Sequence, residues 1–79
     1  MARANQLENR IFHALADPSR RAIFESLTEG EAAVKDLTSR FDISQPAVSQ
    51  HLAALRDAGL VHGRREGRHV YYRVEPRGL

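Results

Sequence analysis

Seventy-nine residues leave room for one domain, 1–79, and a chain this short buries only about 60% of its unfolded surface, so a partner subunit helps it. The absence of cysteine excludes disulfides, thiolate metal sites and a cysteine nucleophile, and no apolar run reads as a signal peptide or membrane span, so a cytoplasmic protein is expected. The net charge of +2 is uneven: residues 1–44 hold six Lys/Arg and seven Asp/Glu, whereas residues 45–79 hold six arginines and three acids.

The spacing of Leu7, Ile11, Ala14 and Leu15 predicts a first helix over 4–16. Phe12 lies off that stripe, so the helix has a second apolar face for a partner. Asp17 caps a second helix, 18–28, with Pro18 at its first position. This helix offers Ile23, Phe24 and Leu27 to a core. Arg20 and Arg21 stand at its start, where cations oppose the macrodipole. They read equally as a phosphate contact for one of them or as a surface salt bridge. Glu29-Gly30-Glu31 ends the helix, and Ala32–Val34 is a short extended link. Lys35–Phe41 is a third short helix with Leu37 and Phe41 on one side, and Asp42-Ile43-Ser44 makes a tight turn.

Residues 44–59 are the most informative stretch. They read as a helix with proline near the start and glycine at the end. Val48, Leu52 and Leu55 form one apolar stripe. The opposite face carries Pro46, Ser49, Gln50 and Ala53, with no bulky apolar group and no charge before Arg56. Small residues with amide and hydroxyl donors suit a helix that enters a groove and meets base edges. Two short helices joined by a three-residue turn make a helix-turn-helix. After Gly59 the period changes to two. Leu60–Arg65 and Arg68–Val74 flank Glu66-Gly67 as a β-hairpin whose tip holds Arg64, Arg65 and Arg68. The expected fold is mainly α with a small β-hairpin, a winged helix-turn-helix.

The ordered set of four segments resembles the ArsR/SmtB family of bacterial winged-helix repressors over about residues 10–75. These segments are Ala14–Ile23 (ALADPSRRAI), Ser44–Leu52 (SQPAVSQHL), Leu55–Val61 (LRDAGLV), and the Arg-Glu-Gly-Arg wing with Tyr71-Tyr72. The resemblance implies a dimeric repressor that binds operator DNA near a promoter and releases it on a signal. It also implies that Gln45, Ser49, Gln50 and His51 lie at the DNA. Two departures stand out. Many members sense metals or oxidants through cysteines in the third helix, and Val34-Lys35-Asp36-Leu37-Thr38 has none. Members usually end in a long dimerising helix, and this sequence stops before one. Either the sequence is shortened or dimerisation rests on the first helix.

The candidate DNA-binding residues are therefore Gln45, Ser49, Gln50, His51, Arg64, Arg65 and Arg68, through helix 45–58 and wing 60–74. Each has a plainer reading. Ser49 and Gln50 suit a solvated face, and Gln45 a local cap. His51, between the core stripe and the exposed face, suits packing or a phosphate. The wing arginines suit edge-strand charges that block aggregation or contacts to phosphate and minor groove. Tyr71 reads as a wing residue and Tyr72 as a core residue. Leu7, Ile11, Phe12 and Leu15 are the candidate homodimer contacts.

Enzyme chemistry finds no support. No carboxylate pair, nucleophile–base spacing or glycine-rich phosphate loop is present, and Ser49 and His51 point apart on one helix. His62 and His69 sit on opposite hairpin strands, but two histidines without a third ligand make a poor zinc site. No metal and no cofactor is expected. The expected partner is double-stranded DNA, with the effector unknown. The alternative is a winged helix used as a protein-interaction module, which would show exposed aromatics or Leu/Met where this helix shows Gln, Ser, Ala and Arg.

Overall fold

The computed structural model describes residues 2–76, with side chains from residue 8 onward. The elements run α1 (Ala2–Ala16), α2 (Pro18–Thr28), β1 (Ala32–Ala33), α3 (Val34–Phe41), α4 (Gln45–Asp57), β2 (Val61–Glu66) and β3 (His69–Val74). Four helices thus precede a hairpin, as the sequence predicts. The stretch expected to be a plain link is instead a strand. Ala32 and Ala33 pair antiparallel with Tyr72 and Tyr71, giving a three-stranded sheet of order β1-β3-β2. Two alanines carry neither alternation nor β-branching, so no sequence signal marks this strand.

Local chemistry sets the helix ends. The Asp17 carboxylate accepts from the Arg20 backbone N–H at 2.9 Å, with Pro18 opening α2. Ser44 Oγ accepts from the Ala47 N–H at 3.2 Å and starts α4. Past α4, Gly59 adopts φ 79, and the Leu60 N–H closes back on the Leu55 carbonyl at 2.9 Å. A left-handed residue is needed there, and glycine takes it without a Cβ clash.

Arg20 and Arg21 hold no ion pair among the described residues. Arg20 Nη1 donates to the His13 carbonyl at 3.3 Å, and Arg21 Nε donates to the Leu15 carbonyl at 3.0 Å. Both cations close the C-terminus of α1, where the macrodipole favours positive charge. Their place at the start of α2 is a consequence of the tight α1–α2 corner.

Val48, Leu52 and Leu55 of α4 meet Ile23 and Leu27 of α2, Leu37 of α3, Ala14 of α1, and Leu60 and Val61 in one buried cluster. Ile11, Leu15, Phe24, Phe41, Ile43, Tyr72 and Val74 pack around its edge. No polar or charged residue is buried among the described residues. The stripe read from sequence is therefore the side by which α4 is anchored, and its other side is left to solvent.

Candidate nucleic-acid interface

On α4, Gln45, Pro46, Ser49, Gln50 and Arg56 are exposed and Ala53 is half-buried. The polar face predicted from sequence is thus the free face of the helix. Capping falls to Ser44, which leaves the Gln45 side chain without that local duty. His51 is half-buried, and its Nδ1 is shielded without a hydrogen-bond partner. It lies against the start of α2. The Arg20 backbone N–H holds the Asp17 carboxyl below its ordinary value, and the charges of His51 and Arg20 add to the effect. These surroundings favour the packing alternative for His51.

The hairpin register separates arginines that the sequence groups. Val61↔Val74, Gly63↔Tyr72 and Arg65↔Val70 pair across β2 and β3. By strand alternation Val61, Gly63 and Arg65 share the core-facing side, and His62, Arg64 and Glu66 share the other. Arg64 Nη2 donates to Glu31 at 2.8 Å and Nε to the same carboxylate at 3.3 Å, and Nη1 also donates to Glu66. Its guanidinium stands 5.0 Å from the centroid of the Tyr71 ring. Arg65 and Arg68, also exposed, hold no hydrogen bond or ion pair among the described residues. Two of the three tip arginines are therefore available to an external anion, while Arg64 is engaged by two carboxylates.

The wing turn itself is tight. Gly67 adopts φ 64 between Glu66 and His69, which are paired. That geometry suits a two-residue hairpin turn with glycine first. Gly63 has a different role. A Cβ there would stand 2.8 Å from two ring carbons of Tyr72, so the missing side chain lets the tyrosine lie across β2 and reach the core.

His62 and His69 do not come together. His62 pairs with Arg73 and His69 with Glu66, at opposite ends of the hairpin. An antiparallel register fixes that separation whatever the side chains prefer. No cluster of metal-ligating residues occurs among the described residues. On α1, Phe12 is 72% exposed while Ile11 and Leu15 are half-buried against the core edge. Leu7 lies outside the described side chains.

Lys35 escaped the sequence reading, and His69 entered it only beside His62 as a poor zinc-ligand pair. Both line one cleft with Gln45, Ser49 and Arg68. The available signal was Lys35 itself, a cation in the first turn of a helix, where the macrodipole disfavours it.

A free polar helix face beside a basic hairpin, both fixed to one core, defines a winged helix-turn-helix domain. The model for bacterial regulatory proteins of the arsR family matches residues 17–62. The chain belongs to that family. It is 46% identical over 67 residues to the arsenic resistance transcriptional regulator ArsR1 of Pseudomonas putida, covering 84% of this chain and 52% of that protein. It is 38% identical over 64 residues to the transcriptional repressor SdpR of Bacillus subtilis, covering 81% of this chain and 71% of the repressor. A homodimeric winged helix-turn-helix DNA-binding domain from Mycobacterium bovis superposes with a TM-score of 0.90 at 34% identity, covering 96% of this chain and 70% of that one. The chain thus spans about half the length of its Pseudomonas relative.

Proposed function

We propose that this protein is a sequence-specific transcriptional repressor that binds operator DNA as a homodimer. The exposed face of α4 enters the major groove, with Ser49 and Gln50 at base edges and Gln45 at the groove wall. Arg65 and Arg68 meet the flanking backbone or minor groove. The observation that carries this reading is the chemistry of the free surface. The outer face of α4 presents amides, a hydroxyl and small residues, with no aromatic, Leu or Met, and two arginines without a partner among the described residues stand at the tip of the adjoining wing. A protein-docking surface needs apolar anchors there, and a DNA-reading surface needs donors and positive charge.

The homodimer follows from the half-site. One helix and one wing cover one half-site, and specific affinity comes from two, about one helical turn apart. The exposed apolar surface that supports pairing is on α1, at Phe12 flanked by Ile11 and Leu15. The chain contains no cysteine, so thiol-based metal or oxidant sensing has no ligand within it. Among the described residues no helix is long and apolar enough to cross a membrane. Selection of bound sites from random duplex DNA tests the reading. A recovered two-fold symmetric site is the expected result, and failure to enrich any sequence refutes it.

A further inference from the structure

Three clefts among the described residues differ in charge. One, bordered by α1, α2 and α4, includes Asp57, and another, between α2 and α3, includes Glu25, Glu29 and Glu31. The third has no carboxylate on its wall. It measures about 210 Å³ and lies where α3, α4 and β3 converge. Lys35 enters it from the first turn of α3 and Arg68 from the wing turn. Gln45 and Ser49 border it from the free face of α4, and Leu52 and Tyr72 form part of its apolar wall. Both cations are exposed and hold no hydrogen bond or ion pair among the described residues. Lys35 also sits at the helix end that disfavours positive charge, so its position has no local explanation. The volume is below the roughly 300–1,000 Å³ of sites for drug-sized ligands, which suits a single phosphodiester group and its sugar.

We propose that this cleft seats one backbone phosphate of duplex DNA, held jointly by Lys35 of the helix pair and Arg68 of the wing. The inference rests on the DNA-binding reading above and adds to it a shared ligand. Gln45 supplies a neutral donor to the phosphate oxygens, and the apolar wall receives the sugar. One phosphate gripped from both sides sets the wing against α4, and so sets the register in which Ser49 and Gln50 meet the bases. Phosphate contacts position a protein on the duplex in this way.

Salt dependence of binding to the selected operator distinguishes one shared phosphate from two separate ones. Wild type, Lys35→Ala, Arg68→Ala and the double variant are titrated over a salt series. Each single variant is expected to lower the slope of log K against log salt. The double variant is expected to lose no more than about 0.9 in slope in total, the value for one phosphate. A methylphosphonate placed at successive backbone positions should reveal one linkage at which wild type and both single variants bind alike. A double variant that loses about twice that slope, or single variants that keep the full wild-type slope, overturns the shared seat while leaving DNA binding intact. A wild type that binds no duplex removes both readings together.

Discussion

Arg64 and Glu31 face each other across the sheet from positions 33 residues apart, joined by two hydrogen bonds of 2.8 and 3.3 Å. Glu31 precedes β1 and Arg64 lies on β2, so the pair spans the central strand, with the Tyr71 ring beneath the guanidinium. Both carboxylate partners push the Arg64 pKa further up, so it stays charged at every working pH. The pair ties the outer strand of the wing to the segment that leads into the helix pair.

The two adjacent wing arginines are therefore expected to behave differently. Arg65→Ala should lower the salt slope of DNA binding by up to about 0.9, the value for one phosphate contact. Arg64→Ala should weaken binding to all duplexes alike, by loosening the wing, and keep nearly the wild-type slope. Anisotropy titrations across a salt series separate the two outcomes. An Arg64→Ala variant that lost as much slope as Arg65→Ala would show that Arg64 leaves its carboxylates for a phosphate.

The contact between Gly63 and Tyr72 gives a stability prediction. A methyl group at residue 63 would meet ring carbons at 2.8 Å. Overpacking of this kind costs about 1–3 kcal/mol, and the ring, not the backbone, is the part that can move. Gly63→Ala should lower the denaturation midpoint and alter the near-UV signal of the tyrosines. Added to Tyr72→Leu, the same change should cost much less, so the two effects are coupled. Additive losses in a double-mutant cycle would mean that Gly63 serves backbone geometry alone.

How much of this was legible in the sequence depends on distance along the chain. The Val48, Leu52 and Leu55 stripe and the Asp17-Pro18 start of α2 are local signals, and each lies where the periodicity and capping chemistry put it. The hairpin turn falls one residue later than the expected Glu66-Gly67: Glu66 pairs with His69, and Gly67, with its positive φ, takes the first turn position beside Arg68. The Arg64–Glu31 pair was not legible, because nothing local links residues 33 apart. Arg64 and Arg65 looked equivalent because a linear reading of the hairpin tip ignores strand alternation. The distance between His62 and His69 was not legible either, because membership of opposite strands alone does not give register. The salt bridges weighed for Arg20 and Arg21 are absent among the described residues because these side chains close the preceding helix, whose end the corner brings back to them.

Asp17 links acid stability to the start of α2. Its carboxyl titrates below the ordinary value of 3.8, chiefly through the Arg20 backbone N–H. A depressed carboxyl contributes stability that is present in full above its unfolded pKa and is lost as pH falls through the folded one. Asp17→Asn keeps an acceptor for the cap but removes the titration. The stability difference between wild type and Asp17→Asn should be constant near neutral pH and should shrink as pH falls below 3.8. Urea midpoints measured from neutral to strongly acid pH provide the check, and a difference independent of pH throughout would sink it.

The α1 surface carries the assembly prediction. Ile11 and Leu15 pack partly against the core edge, so charging either confuses folding with association. Phe12 is 72% exposed and is the only large hydrophobic residue left so open among the described residues. It therefore provides the cleaner probe. Phe12→Glu should leave the circular dichroism and thermal transition of the monomer unchanged, because surface substitutions away from special features change stability by about 0.5 kcal/mol or less. The same variant should shift sedimentation from dimer to monomer, since an unpaired carboxylate would be buried at the two-fold axis of the dimer. Operator binding should then change from one step to two weaker half-site steps, while the salt slope per half-site is kept. A Phe12→Glu variant that sediments as a dimer at the wild-type concentration would place the interface elsewhere on the chain.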